Sequence, residues 1–568
     1  MKAYKENKMK KENSMKRYIV ALILIMTMFL FAACDKPTPQ ESVDQAVEES
    51  APSSSTEDTE EEAEVATGPT VGGKIVYSYE GEPDTLDISI SFTGTNVLEF
   101  IGASLTIVEP DTKEVLPYLA ENWTVSDDGL VYEFTLRDDV MFHNGTPLTA
   151  EDYAWTIQRM MDPELGSTCL WVVYPAVSEV EAVDEYTLRI TLWAPNYYFL
   201  SSLADPSCGQ PMSKAYAEEV GDEVLGTNPV GVGPFRFQSW EPGISVVLER
   251  NPDFTWGPSF THGGPPYIET LEVRTIYDHS LRLAALEAGE LDLTEISRQD
   301  VERVLSTDQF QILELIPGGS ADSVIMNQTK PPLDDIRVRQ ALNMAIDRDL
   351  LNMVMEDGTA EPIRGLLSSG TQGYCAEAAE YGYDYDLERA KELMAEAGYT
   401  PGADGMLQKD GEPLVLVMPV YSFYEKLSTL VQEQYKELGV QVELELGEVN
   451  VVMDEVMAGN YDIYLTAYLF ENTSLLEWMF SSAMIGMYNF SGINDPKMDD
   501  WLSTMITTMD SETNLRAACD IQIHAVEQAY TVPIYLASAP TAVNSELKGV
   551  RWDRYYHYDL FDAYFETE

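Results

Sequence analysis

The chain changes character twice in its first seventy residues, and those changes fix where a fold can begin. Met1 to Arg17 carries seven Lys or Arg against two Glu, and an apolar run follows from Tyr18 to Ala33. That run is shorter than the about 20 residues a membrane-spanning helix needs. A basic head, a short apolar stretch and small residues before a cut describe an export signal. Asp35 to Thr70 then brings Pro37, Pro39, Pro52, Ser53-Ser54-Ser55 and Glu60-Glu61-Glu62, with few aliphatics and no aromatics. Such a segment cannot bury enough surface to offset the entropy of ordering it. It reads as a flexible, self-repelling spacer, so folding is expected from Val71 onward.

Cys34 follows directly on Leu30-Phe31-Ala32-Ala33. This arrangement resembles a bacterial lipoprotein signal, with Phe31 where Leu is favoured. The resemblance implies cleavage before Cys34, a lipid on its sulfur, and a protein tethered to the outer face of the cytoplasmic membrane (the periplasmic side in a Gram-negative cell).

About 500 residues remain, enough for two or more lobes with substantial cores. Against 35 Lys and Arg stand 96 Asp and Glu, a formal net charge of −61. Without residues 1–33 the balance becomes −66. A field of that sign repels phosphate backbones and anionic headgroups, which argues against nucleic acid and broad membrane adsorption. It serves solubility, or the steering of cationic solutes. Cys169, Cys208, Cys375 and Cys519 show no metal-binding spacing, and they permit three pairings or none.

The body opens with a strand at Lys74–Tyr79. Leu130, Tyr132, Phe134 and Leu136 alternate with other residues after the turn Asp127-Asp128-Gly129, the period of a half-buried strand. Asn144-Gly145 marks a second hairpin. Thr149-Ala150-Glu151-Asp152 has capping-box spacing and opens a helix through Met161, ended by Pro163. Further on, a strand near Ser323–Asn327 precedes a helix. Its Val338, Ala341, Leu342, Ala345 and Ile346 form one stripe, with Arg337, Arg339 and Arg348 off it. A helix at Leu387–Ala397 stops at Gly398. A strand at Leu414–Pro419, a helix at Glu425–Leu438 capped by Gly439 and a strand at Val440–Leu446 give an α/β pattern.

Enzyme motifs are lacking. Ser545-Glu546-Leu547-Lys548 matches S-x-x-K without its companions, and there is no G-x-S-x-G, H-E-x-x-H or Walker A loop. Gly231-Val232-Gly233 runs into Pro234 and reads as a turn. His143, His262, His279, His524 and His557 are scattered without ligand spacing, so no metal or other cofactor is expected. The Tyr groups Tyr381/Tyr383/Tyr385, Tyr421/Phe423/Tyr424 and Tyr461/Tyr464/Tyr468 suit either a cleft or ordinary packing.

Several strings have a common likeness. Leu116–Trp123, Asp127–Arg137, Phe142–Asp152, Pro229–Phe235, Leu283–Asp292, Val338–Leu342 with Ala345–Arg348, and Ala390–Gly398 resemble extracellular solute-binding proteins of the oligopeptide/dipeptide-binding family. The resemblance runs from about Val71 to Phe565. It implies an α/β, two-lobed periplasmic-binding-protein-like fold with a hinge and an extra, smaller β-rich domain. The implied layout is 71–108, 206–320 and 535–568 in lobe I, 109–205 in the small domain and 321–534 in lobe II. Crossings fall near Gly318–Asn327 and Thr531–Ala537. It further implies a monomer that delivers a peptide-like solute to the permease of an ABC importer.

In the family's peptide binders a loop carries a Trp and, three residues on, an Asp that meets the peptide ammonium. Here that loop is Ala467-Tyr468-Leu469-Phe470-Glu471, with Tyr468 and Glu471 in those positions. Ala467, Tyr468, Leu469 and Glu471, with Phe92 and Thr93, are the ligand contacts the resemblance implies. Val449 stands where another Trp would be. Ser422, Val456 and Leu465 replace the basic groups that meet a peptide carboxylate. A cationic or zwitterionic peptide-like solute is therefore expected, with an oligosaccharide or a nickel complex as the alternative. An anchored extracellular enzyme or sensor is the reading from another class.

Overall fold

A computed structural model describes residues 69–566, apart from Glu80, Ala539, Arg554 and Tyr555. The export signal, Cys34 and the acidic spacer lie outside the described residues.

Lys74–Tyr79 sits inside a seven-stranded mixed sheet, which defines the first lobe. The strand order is Phe310–Leu313, Thr541–Asn544, Leu293–Glu295, Lys74–Tyr79, Thr270–Thr275, Ser245–Arg250 and Phe235–Glu241. Parallel pairing of Lys74 with Thr270 through Tyr79 with Thr275 sets the register of its centre. A second, four-stranded antiparallel sheet is ordered Ala120–Val125, Val131–Leu136, Thr187–Leu192 and Val177–Ala182. In it the alternation read from the sequence holds: Tyr132, Phe134 and Leu136 are buried. The helix Ala150–Met160 opens with the expected capping box between Thr149 and Asp152.

The small sheet has no core of its own. Tyr132, Phe134, Leu188 and Ile190 belong to the same buried cluster as Ile75, Tyr77, Leu248 and Leu271 of the seven-stranded sheet. Burial of each such side chain stabilises by about 1.5–3 kcal/mol, so the first lobe and the β-rich insertion pack as one body.

The second lobe is built on the antiparallel order Glu361–Pro362, Thr531–Leu536, Asp322–Met326 and Ile463–Thr466. Beside it, Val415–Tyr421 and Gln441–Gly447 run parallel, joined by the helix Glu425–Leu438. Gly439 ends that helix in the left-handed conformation. The chain passes between the two lobe sheets twice, after Leu313 and after Leu536. The strand Thr531–Leu536 continues two residues past the expected border at 534, because Tyr535 and Leu536 still pair with Pro362 and Glu361.

Two arginines off the apolar stripe are buried nonetheless. Arg339 donates to the carbonyls of Leu333 and Gln528. Arg348 Nε donates to Pro533 O at 2.7 Å and its Nη1 to Tyr383 O at 3.1 Å. Burial lowers the Arg348 pKa to about 10. These guanidinium groups satisfy carbonyls beside the returning strand and fix it against the helix layer.

Two disulfides are formed, Cys169–Cys208 and Cys375–Cys519, one of the three pairings the sequence left open beside free thiols. Among the described residues no helix is long and apolar enough to cross a membrane.

Candidate functional site

The first crossing segment and the loop after the strand Ile463–Thr466 are zipped together by backbone. Ser320 N donates to Tyr468 O at 2.8 Å and Phe470 N to Gly318 O at 3.2 Å. Tyr468 N donates to Ser320 Oγ at 2.9 Å. Gly319, at φ +116°, makes this approach possible: a Cβ there would lie 1.8 Å from Tyr468 O. From the far side Gln372 N donates to Glu471 O at 2.9 Å. From the first lobe, the Tyr556 hydroxyl donates to Gly318 O at 3.0 Å. The loop carrying Tyr468 and Glu471 is thus held at the junction of both lobes.

Glu471 is half-buried and lines a narrow recess with Val108, Lys113, Gly370, Gln372 and Tyr556. Its Oε1 accepts from Asn472 Nδ2 at 2.9 Å. The Tyr468 hydroxyl is tied back to Tyr464 at 3.1 Å, and burial pushes its pKa up to about 12. Leu469 projects with 58 % exposure, and Ala467 is half-buried.

The backbone of Phe92 and Thr93 is held by Asp84. Thr93 Oγ1 donates to Glu82 O, and the backbone amides of Phe92 and Thr93 donate to Asp84. Burial would raise Asp84, but these donors together hold its pKa below the ordinary value. The Phe92 ring is 75 % exposed, and neither residue lines the recess or the cavity described next. Val456 and Leu465 are buried in the second lobe's cores, so neither faces a solute. Tyr461 and Tyr464 are core residues as well. Tyr421 stacks on the exposed Phe423 at 5.2 Å, at the carboxyl end of a parallel strand, where α/β sheets present ligand-binding surface.

Val108 also borders a cavity of about 140 Å³ in the first lobe. Phe100, Tyr118, Phe235, Phe260, Tyr558 and Phe561 give it aromatic walls, and Glu99, Asp553 and Asp559 supply carboxylates. Among the described residues no Lys or Arg lines it. An apolar pocket with a few convergent charged groups is the usual form of a small-molecule site. Glu99 Oε2 bonds His557 Nδ1 at 2.7 Å, His557 N donates to Asp553 Oδ1 at 2.8 Å, and Arg551 Nη2 donates to Asp559 Oδ2 at 2.7 Å. Ligand atoms of Glu99, Asp553 and His557 lie within 4.8 Å of one another. They are the residues that could hold a metal, yet the ion pair satisfies them without one. The sequence reading missed this acidic wall, since single acids in so acidic a chain carry no motif.

Burial would lower His557, but Glu99 and then Asp553 outweigh it and raise the imidazole to about 9. Burial raises Glu99 to about 7, with His557 opposing. Both folded values lie above the ordinary 6.5 and 4.5, so the folded chain binds extra protons between those limits. The stability they contribute is complete at low pH and is lost as pH rises from about 4.5 to about 9. Urea unfolding of the wild type and of Glu99→Gln/His557→Gln checks this. The wild type's advantage should shrink across that window, and a pH-independent gap would refute the pairing.

Residues 114–483 match the model of bacterial extracellular solute-binding proteins, family 5, and the chain belongs to that family. It is 25 % identical over 504 residues to a glutathione-binding protein of Escherichia coli K12, covering 83 % of this chain and 94 % of the relative. It is 26 % identical over 410 residues to the oligopeptide-binding protein AppA of Bacillus subtilis, covering 69 % and 73 %. In fold it is similar to NikA of Brucella suis, solved with Fe(III)-EDTA. The TM-score is 0.78 at 23 % identity, over 86 % of this chain and 99 % of that one. The expected α/β two-lobed binding-protein fold is thereby established, and the family binds substrates rather than transforming them.

Proposed function

We propose that this protein captures a cationic, peptide-like solute outside the cytoplasmic membrane and passes it to an ABC importer. The observation that carries the ligand class is the aromatic cavity, walled by Glu99, Asp553 and Asp559 and bordering the recess of Glu471. Aromatic faces attract ammonium and guanidinium groups, and the three carboxylates outnumber the two cations, His557 and Arg551, that they pair with. The peptide-binding relatives support the solute's backbone chemistry.

Calorimetry with Lys-Ala-Ala, Ala-Ala-Ala and Glu-Ala-Ala tests the reading. The basic tripeptide should bind at least about ten-fold more tightly than the acidic one, a difference of about 1.4 kcal/mol. Glu471→Gln should weaken the basic peptide by about 10- to 100-fold, because a hydrogen bond to a charged group contributes roughly 1.5–3 kcal/mol. Equal binding of all three peptides, or of none, would remove the cationic peptide as the solute.

Attachment through a lipid on Cys34 is part of the same proposal. Acyl chains contribute about 0.8 kcal/mol per buried CH₂, so two chains anchor stably where one is marginal. Cys34→Ser should release the protein from the membrane or leave its precursor uncleaved. Normal processing and membrane retention in that variant would exclude the lipid anchor.

A further inference from the structure

Adjacent residues of the β-rich insertion point into different cores. Phe199 belongs to the core of the first lobe, whereas Tyr198 is 6 % exposed and packs with Leu475, Leu476, Met505 and Ile521 of the second. Its hydroxyl bonds Thr473 Oγ1 at 2.7 Å and accepts from Asn514 Nδ2 at 3.1 Å. Beside it, Tyr197 N donates to Ile506 O at 2.8 Å, and Tyr197 Oη donates to Ser511 Oγ at 3.1 Å. The second lobe is therefore held at a third place, remote in sequence from both crossing segments. Thr473 is two residues beyond Glu471, so this attachment reaches the loop at the lobe junction.

We infer that Tyr198 is a positioning residue and a pivot: it stays seated in the second lobe while the lobes turn, and it fixes the loop that bears Glu471. Withdrawing the ring would leave a ring-sized void among Leu475, Met505 and Ile521. It would also strip the buried Thr473 and Asn514 of a polar partner. A contact that costly to break is kept through a domain rotation, and the rotation is taken up where few groups must move. The insertion, which shares its core with the first lobe, thus has a buried attachment to the second lobe at Tyr198, besides the bond from Gln372 Nε2 to Lys113 O at 3.1 Å. This inference does not depend on the identity of the solute.

Hydrogen exchange on the solute-free full-length chain tests it, with Tyr198→Phe and Tyr198→Ala beside the wild type. In the wild type the Tyr197 amide should exchange as slowly as amides of the strand Lys74–Tyr79. Tyr198→Phe keeps the ring and removes the hydroxyl. It should speed exchange over 470–474 by about ten-fold while Tyr197 stays protected. Tyr198→Ala should unprotect Tyr197 and broaden the distribution of radii in small-angle scattering. Rapid exchange at Tyr197 in the wild type would make the contact a latch that opens, and would overturn the pivot. Unchanged exchange over 470–474 in Tyr198→Phe would overturn the positioning role.

Discussion

Replacing Gly319 by Ala is expected to dislodge the loop that carries Tyr468 and Glu471. The added Cβ would lie 1.8 Å from Tyr468 O and 2.8 Å from Phe470 N, and both of those neighbours are backbone. The residue's φ of +116° is itself unfavourable for any L side chain, at roughly 1–3 kcal/mol. Relief requires the loop to move off the crossing segment, which breaks the bonds from Ser320 N and Tyr468 N. The sum should exceed about 3 kcal/mol of unfolding free energy. Equilibrium urea unfolding measures it, and an unchanged midpoint would mean that the loop is not seated against Gly319.

The second large effect is expected from Cys375→Ser/Cys519→Ser. The bridge joins Cα atoms 5.1 Å apart across a sequence separation of 144. In the chain-entropy account, closing a loop of that length restricts the unfolded chain by about 5 kcal/mol, and measured losses run to about 2–5 kcal/mol. The bridge also anchors the segment that faces Glu471. Gln522 Oε1 accepts from Cys375 N, Gln522 Nε2 donates to Gly373 O, and Gln372 N holds Glu471 O. The variant should therefore lose stability and also show faster hydrogen exchange across 370–375. A fall in stability without faster exchange there would confine the bridge to the unfolded state.

Local structure was legible where one segment's pattern sufficed. The alternation through Tyr132, Phe134 and Leu136, the box at Thr149 and Asp152, and the cap at Gly439 each depend on residues a few positions apart, and each holds. The likeness of long strings to a solute-binding family carried the fold class, and the family match bears it out. Arg339 and Arg348 show the limit of periodicity. A stripe rule puts them outside the apolar face, yet carbonyls of distant segments, Gln528 and Pro533, draw them into the interior.

The site was legible only in part. The loop Ala467–Glu471 could be found because its residues are contiguous, and it lies at the lobe junction. Phe92 and Thr93, also contiguous, lie in a separate segment whose amides Asp84 holds. Glu99, Asp553, His557 and Asp559 come together from positions more than 450 residues apart, and no spacing rule reaches that far.

Taken alone, the sequence determined the fold class, the strands and helices whose hydrophobic period is local, and the charge that disfavours polyanions as ligands. Only the tertiary structure decided that the β-rich insertion shares the first lobe's core, which cysteines pair, and that Tyr198 seats in the second lobe. The physical reason is range. Periodicity and capping act within a few residues of chain, whereas a cavity, a disulfide or a shared core depends on contacts closed across hundreds.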